Sequence, residues 1–408
     1  MNLYSLLHSA FRLRHFKFTP MIYDFLTPID KENFMQGQEL HPGQIGNYIT
    51  IYDGKEPEIG WYDIAIIGIE EDRASVGNAG TGKAPDHIRR EFYKLFLPPV
   101  DKEFHLIDLG NIKPGDTVRD TYFALASVIL EMLVHKVIPV IIGGSNDLAF
   151  GQYIGYKGLQ TLINVVNIDE RLDMFENAEK KIDSSSYVMD ILTHTPNYLF
   201  NYSHLGHQTY LNDSKAIEML QSLNFDCHRL GLIRANLEEV EPILRDADML
   251  TIDISAIRQS DAPAHANASP NGFTGEELCQ ITRYAGLSDK LTSIGIYDVN
   301  PGYDNNRQTA QLCAQMIWYF VEGFYSRVGD YPLTLDEHLK FNVHLEDTQH
   351  ELIFWKSKKT ERWWMELPFG DKEKFGRHQL VPCSFRDYES ACDQELPDRW
   401  MKAYTKLV

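Results

Sequence analysis

The chain is poor in the features that would tie it to several large classes of protein. Cysteine is scarce, with five residues (Cys227, Cys279, Cys313, Cys383 and Cys392) in 408. They are odd in number and scattered, and no Cys-x-x-Cys occurs. This argues against a disulfide framework or zinc knuckle and for a reducing compartment. No run approaches the roughly 18 apolar residues that mark a membrane span. Positive charge is also short: 39 Lys and Arg face 58 Asp and Glu, a formal net charge of −19. Such a balance disfavours nucleic acid and anionic membrane as partners, and a cytoplasmic location is expected. No internal repeat or low-complexity tract is present. The first 20 residues, "MNLYSLLHSAFRLRHFKFTP", lack the apolar stretch and cleavage site of a signal peptide. Two readings stay open there: a second translation start at Met21, or an amphipathic arm that packs on a neighbouring subunit.

What is present is a large apolar fraction, 43%, with 12% aromatics. Buried-strand patterns at 62–70, 104–112, 137–147, 162–169, 248–255 and 291–301 alternate with helical periodicity at 84–96, 117–136, 216–223, 237–247, 275–287 and 306–327. A further strand is expected within 227–235. Strand and helix in alternation predict a three-layer α/β/α domain with a mostly parallel sheet covered on both faces. Residues 1–60 read as an arm and lead-in, 61–327 as the α/β domain, and 328–408 as an accessory tail. Four of the six tryptophans (Trp355, Trp363, Trp364 and Trp400) lie in that tail, and 351–367 reads as a β-hairpin with a charged turn. The tail is expected to pack on the core rather than to form an interface.

Charged residues collect where strands end. "VVNIDERLDMF" (165–175) is a buried strand that runs into Asp169, Glu170, Arg171 and Asp173. "PVIIGGSNDLAFG" (139–151) ends a strand in Gly143 and Gly144, followed by Ser145 and Asn146. "TIDISAIRQSDAPAHANASPNGFTGEEL" (251–278) carries Asp253, Ser255, His265 and Glu277, and "DVNP" (298–301) follows the last strand of the domain. Ligands of open α/β sheets bind outside the carboxyl ends of strands.

These segments, with "GNAGTGKAPDHIRREFYKL" (77–95), together resemble the ureohydrolase family of arginase, agmatinase and formimidoylglutamase over residues 61–327. The resemblance implies an arginase-like fold and a pair of manganese ions held by carboxylates and imidazoles. It also implies hydrolysis of a guanidino or formimino C–N bond, and a homo-oligomer, a trimer or hexamer. Asp169, Asp173 and Asp253 match ligand positions of the family pattern. Asn146, Arg171 and Ser255 replace ligands. Arg171 is the largest departure, because a guanidinium is not deprotonated in a protein and cannot ligate a cation. It pairs well with carboxylates. Arg171 is therefore expected to pair with Asp169 or Asp253 and to fill the metal position.

The first expectation is a non-canonical family member that has lost the binuclear manganese site, holds no cofactor, and acts by binding or regulation. The alternative is an active hydrolase of a guanidino or formimino compound. There a single Mg²⁺, Ca²⁺ or Mn²⁺ sits on oxygens of Asp169, Asp173 and Asp253, with Asn146 and Ser255 as further oxygen donors. Arg171 would then bind a substrate carboxylate. The catalytic candidates are Asp169, Arg171, Asp253 and Glu277, the last standing where arginase-like members have a substrate-side Glu. Ser184 and Ser185 lie where the family has a substrate-binding loop. His265 reads as a substrate-loop residue or, preferred, a surface residue. His204 and His207 read as non-functional, and Asp298 and Asn300 as turn residues at a strand end.

Overall fold

The computed structural model describes residues 22–35, 37–175, 182–331, 335–346, 351–368 and 376–407. The expectations for residues 1–20 and Met21 fall outside them.

Ten strands among these residues form one sheet: β1 (Leu26–Thr27), β2 (Thr50–Ile51), β3 (Ile64–Ile69), β4 (Leu106–Ile112), β5 (Ile138–Ile142), β6 (Ile163–Ile168), β7 (Leu199–His207), β8 (Asp226–Arg229), β9 (Met249–Asp253) and β10 (Ser293–Tyr297). Their order is β1-β4-β3-β5-β10-β9-β6-β7-β8, with β2 also on β4. From β4 to β8 each neighbouring pair is parallel, and β1 is antiparallel to β4 at the edge. The central strands are buried on both faces and are accordingly rich in Ile, Val and Leu.

Alternation along each strand separates two cores. Ile64, Ile66, Val140, Ile142, Leu250 and Ile252 face helices α1 (Ala84–Phe92), α4 (Gly275–Gly286) and α5 (Gln308–Tyr325). Ala65, Ile67, Ile69, Ile141 and Val165 face α2 (Val118–Val134) and α3 (Leu148–Gly155). The architecture is a three-layer α/β/α sandwich.

Two local expectations differ from the structure. His204 and His207 do not precede a strand; they lie inside β7. The polar residues of "LFNYSHLGH" hid that strand, and they are satisfied internally. The Nε2 of His204 lies 3.0 Å from the Asp169 carbonyl oxygen, and burial pushes its pKa down to about 3, so it stays neutral. The expected strand within 227–235 is only β8, after which Leu230–Ala235 is helical.

The tail adds a four-stranded antiparallel sheet: β11 (His338–His344), β12 (Glu351–Ser357), β13 (Trp363–Glu366) and β14 (Leu380–Cys383). β12 and β13 are the expected hairpin. Helices α6 (Phe385–Cys392) and α7 (Asp398–Thr405) follow. The tail has its own apolar core, with Phe354, Trp363, Met365 and Trp400. Arg245, from the α/β domain, ties it down. Its guanidinium lies 4.4 Å from the Trp364 ring centroid and donates to the carbonyls of Trp363 and Cys383, each at 3.1 Å. A hollow of about 210 Å³ between the sheet and the tail is lined by paired charges. Lys402 meets Asp226 and Arg399 meets Glu239 and Asp387, which marks it as a packing seam.

Candidate metal centre

Four adjacent parallel strands deliver the site. Asn146 follows β5, Asp298 follows β10, Asp253 ends β9 and Asp169 follows β6. Asp173 comes from the loop after Asp169. The turn after β5 needs its two glycines. Gly143 and Gly144 have φ of 85° and 76°, and a Cβ on Gly144 would stand 2.1 Å from a Leu148 methyl. Asp173 and Asp298 also hold positive φ, 46° and 63°, a conformation that costs free energy and clusters at functional sites.

Asp169, Asp173 and Asp253 converge, with one carboxylate oxygen of each within 4.8 Å of the others. They are 1%, 5% and 4% exposed, so water does little to separate their charges. Burial, followed by repulsion from Asp253 and Asp173, raises the Asp169 pKa well above the ordinary carboxylate range. Burial and Asp298 raise Asp253 in the same way, and burial raises Asp173. Hydrogen bonds do not balance the charge. The backbone N–H of Arg171 donates to Asp169 Oδ1 (2.8 Å), and that of Ser255 donates to Asp253 Oδ1 (2.7 Å). The Ser255 hydroxyl reaches Asp169 only at 3.4 Å.

Asn146 is fully buried among these groups. Its Nδ2 lies 3.1 Å from Asp169 Oδ2, 3.2 Å from Asp173 Oδ2 and 3.2 Å from the Tyr187 hydroxyl, while its Oδ1 has no hydrogen-bond partner. An orphaned buried carbonyl is costly. Turning the amide over would aim that oxygen at the carboxylates, which is favourable only with a cation between them. The oxygen donors of Asp169, Asp173, Asp253 and Asn146 therefore fit a hard divalent ion.

The structure corrects the expectation for Arg171. Its guanidinium does not fill the metal position. The side chain is 42% exposed, and its Nε lies 3.7 Å from Glu170 Oε1, at the rim. Burying a guanidinium among the aspartates would have required desolvating it, whereas beside Glu170 its side chain stays partly in water. The expectation of a lost metal site and no cofactor rested on the replacements at Asn146, Arg171 and Ser255, and it is not supported, because Asp169, Asp173 and Asp253 still converge with no guanidinium among them. Glu277 is corrected too. It is the third residue of α4 and closes a capping box with Thr274, whose backbone N–H it accepts at 2.7 Å, and its other oxygen meets Arg234 at 3.0 Å. Its contacts are those of a helix cap.

His265 is not a surface residue: its side chain is 10% exposed and stands 3.6 Å from Asp298 Oδ2. Burial alone would lower its pKa, but Asp298, Asp253 and Glu170 around it raise it overall. Asp253, His265 and Asp298 also approach closely enough to surround an ion. The backbone N–H of Asn267 donates to His265 Nδ1 (3.1 Å), however, so Nε2 carries the proton and points it at Asp298. A protonated nitrogen is no ligand, and this group is an imidazole–carboxylate pair. Ser184 and Ser185 hold the loop before Tyr187. Ser184 Oγ accepts from Val76 N (2.9 Å), and Ser185 Oγ donates to Asp183 (2.8 Å).

Sequence reasoning missed Asp298 and Glu170. Asp298 stands at the carboxyl end of β10, between the strands that carry Asn146 and Asp253, and its Oδ1 accepts from Asn146 N (3.2 Å). Its strand-end position was the available signal. Glu170 is 1% exposed, and burial pushes it up to about 7.

A parallel α/β sandwich with buried aspartates gathered at its central strand ends is an arrangement that known proteins share. A family model described as "Arginase family" matches residues 62–322. Curated relatives include a formimidoylglutamase of Streptococcus gordonii, 24% identical over 69% of this chain and 90% of its own length. Another is a formimidoylglutamase of Staphylococcus haemolyticus, 27% identical over 62% and 82%. Among solved structures, Trypanosoma cruzi formiminoglutamase with manganese has a TM-score of 0.63 at 18% identity, covering 70% of this chain and 99% of that one. Formimidoylglutamase from Bacillus subtilis gives 0.63 at 18%, covering 79% and 99%. The chain belongs to the arginase family. Among the described residues no helix is long and apolar enough to cross a membrane.

Proposed function

We propose that this chain is a metal-dependent hydrolase of a formimino or guanidino C–N bond, with a formimino compound as the favoured substrate. One observation carries the reading: three buried carboxylates meet, none of them in an ion pair among the described residues, next to an amide oxygen that lacks a partner. Asp169, Asp173, Asp253 and Asn146 would hold the ion, and manganese, named for a related structure, is the first choice. A divalent ion in such a site supplies a Lewis acid that makes water a better nucleophile at neutral pH. The relatives' names favour formimino chemistry.

The chain's own residues do the rest. Asp298 offers a carboxylate beside Asp253, suited to a cationic amidine. Its Oδ1 is fixed by Asn146 N and its Oδ2 faces the His265 N–H. In the overall reaction, the oxygen of water bonds to the formimino carbon and the C–N bond to the substrate's amine nitrogen breaks. That nitrogen leaves with a proton from water, and formamide is the second product. The homo-oligomer implied by the family resemblance is part of this proposal, and sedimentation velocity reads it.

The test is product release from a panel of formimino and guanidino compounds, by protein stripped with chelator and then loaded with Mn²⁺. Metal-dependent release of amine that Asp253→Ala abolishes is the expected result. No release from any member of the panel in the loaded protein would overturn the reading.

A further inference from the structure

We propose that the Arg171 guanidinium is the specificity clamp of this site, receiving a carboxylate of an acidic, amino-acid-derived substrate. The inference deepens the hydrolase reading above and rests on it for the position of the scissile bond.

The backbone of Arg171 is pinned beside the cluster by its N–H to Asp169 Oδ1. The side chain leaves the cluster but not its neighbourhood: it remains close enough to influence the Asp173 carboxyl. Among the described residues its nearest acidic partner is Glu170 at 3.7 Å, beyond hydrogen-bond length. The planar fork of N–H donors is thus 42% exposed, always charged, and makes no side-chain hydrogen bond among the described residues. Glu170 does not compete strongly for it. It is buried, and it accepts from Gln208 Nε2 at 3.3 Å.

Two other described cations near these strand ends are committed. Arg73 grips Glu71 and the carbonyls of Gly115 and Asp116. Arg258 grips Asp261. Of these three described cations, Arg171 is the one left for an incoming anion. A planar carboxylate matches its fork in two parallel hydrogen bonds. A substrate whose amidine lies against Asp298 and Asp253 presents its other end toward Arg171. A formimino group on an acidic amino acid satisfies both ends; an alkylamidine without a carboxylate satisfies one.

The experiment compares wild type, Arg171→Lys and Arg171→Ala, each loaded with Mn²⁺, on N-formimidoyl-L-glutamate and on N-butylformamidine. Calorimetric binding of L-glutamate is measured alongside. For Arg171→Ala the expected kcat/KM loss on the acidic substrate exceeds that on the neutral one by about 10- to 100-fold, mostly through KM. L-glutamate affinity is expected to fall alongside, with Arg171→Lys between the two. Turnover of the acidic substrate with equal losses on both would overturn the clamp and leave the hydrolase standing. Arg171-dependent glutamate binding without turnover would uphold the clamp and overturn the hydrolase. Neither turnover nor binding by wild type would overturn both.

Discussion

Replacing Asp253 with asparagine is expected to stabilise the metal-free protein and to remove its response to metal. Asp253 belongs to both close groupings at the strand ends, and its charge is buried beside Asp169, Asp173 and Asp298. Burial lifts the Asp173 carboxyl to about 7, roughly three units above an ordinary aspartate, which corresponds to about 4 kcal/mol held against ionisation. Part of that is burial that no neighbour's mutation relieves. The repulsion from Asp253 falls chiefly on Asp169, and a neutral amide in place of the Asp253 carboxylate would lift on the order of 2 kcal/mol, worth roughly 2 °C in a chain of this size. The asparagine oxygen can still accept the Ser255 N–H, so the local turn survives. Wild type in Mn²⁺ at about a hundred times its dissociation constant should gain about 2.7 kcal/mol, roughly 3 °C, and the variant almost none. Differential scanning fluorimetry at about pH 8, with chelator or with Mn²⁺, reads both effects. If an internal cation balanced the cluster, the substitution would instead strand that cation and cost about 3–5 kcal/mol. A lower melting temperature for the metal-free variant, or an undiminished Mn²⁺ shift, would therefore refute the reasoning.

Further outcomes follow from the same contacts. Asp169, Asp173 and Asp253 have pKa values raised in the folded state, so the folded protein binds more protons than the unfolded one. Metal-free stability is thus greatest below about pH 4 from these groups and is lost as pH rises through about 7, and melting curves against pH should show that fall flattened by Mn²⁺. Glu277→Ala should cost about 1 kcal/mol of stability by breaking the capping box while leaving Mn²⁺ affinity within error, as fluorimetry and metal titration would show. Arg245→Ala removes a buried guanidinium that holds two tail carbonyls and the Trp364 ring. It should destabilise by about 3 kcal/mol and speed proteolytic release of the tail.

The layered fold was legible because the central strands are mostly apolar segments followed by charged residues, and the helices between them carry clear periodicity. β7 was not legible, because its histidines, serine and asparagine are paired within the sheet and break the apolar pattern. At the site, Asp169, Asp173 and Asp253 could be picked out from the resemblance to the family's motifs, and the approach of Asp169 and Asp253 follows from adjacent parallel strands. The direction of a long side chain could not. Arg171 occupies a ligand position in the chain, but its length lets the charge end at the rim beside Glu170, several bonds from where its backbone points. His265 was misjudged for a related reason. A loop position gave no hint that Asn267 and Asp298 would hold its ring inward. Glu277 shows the reverse error, since a Thr-x-x-Glu before a helix is first of all a capping box.

The most direct measurement is the position of a bound metal. Crystals grown with Mn²⁺ and measured for anomalous scattering at the manganese edge should show a peak within about 2.5 Å of carboxylate oxygens of Asp169, Asp173 and Asp253, with the Asn146 amide oxygen turned toward it and Arg171 at the rim. An empty cluster with the Arg171 guanidinium swung in among the aspartates would contradict a metal-dependent hydrolase.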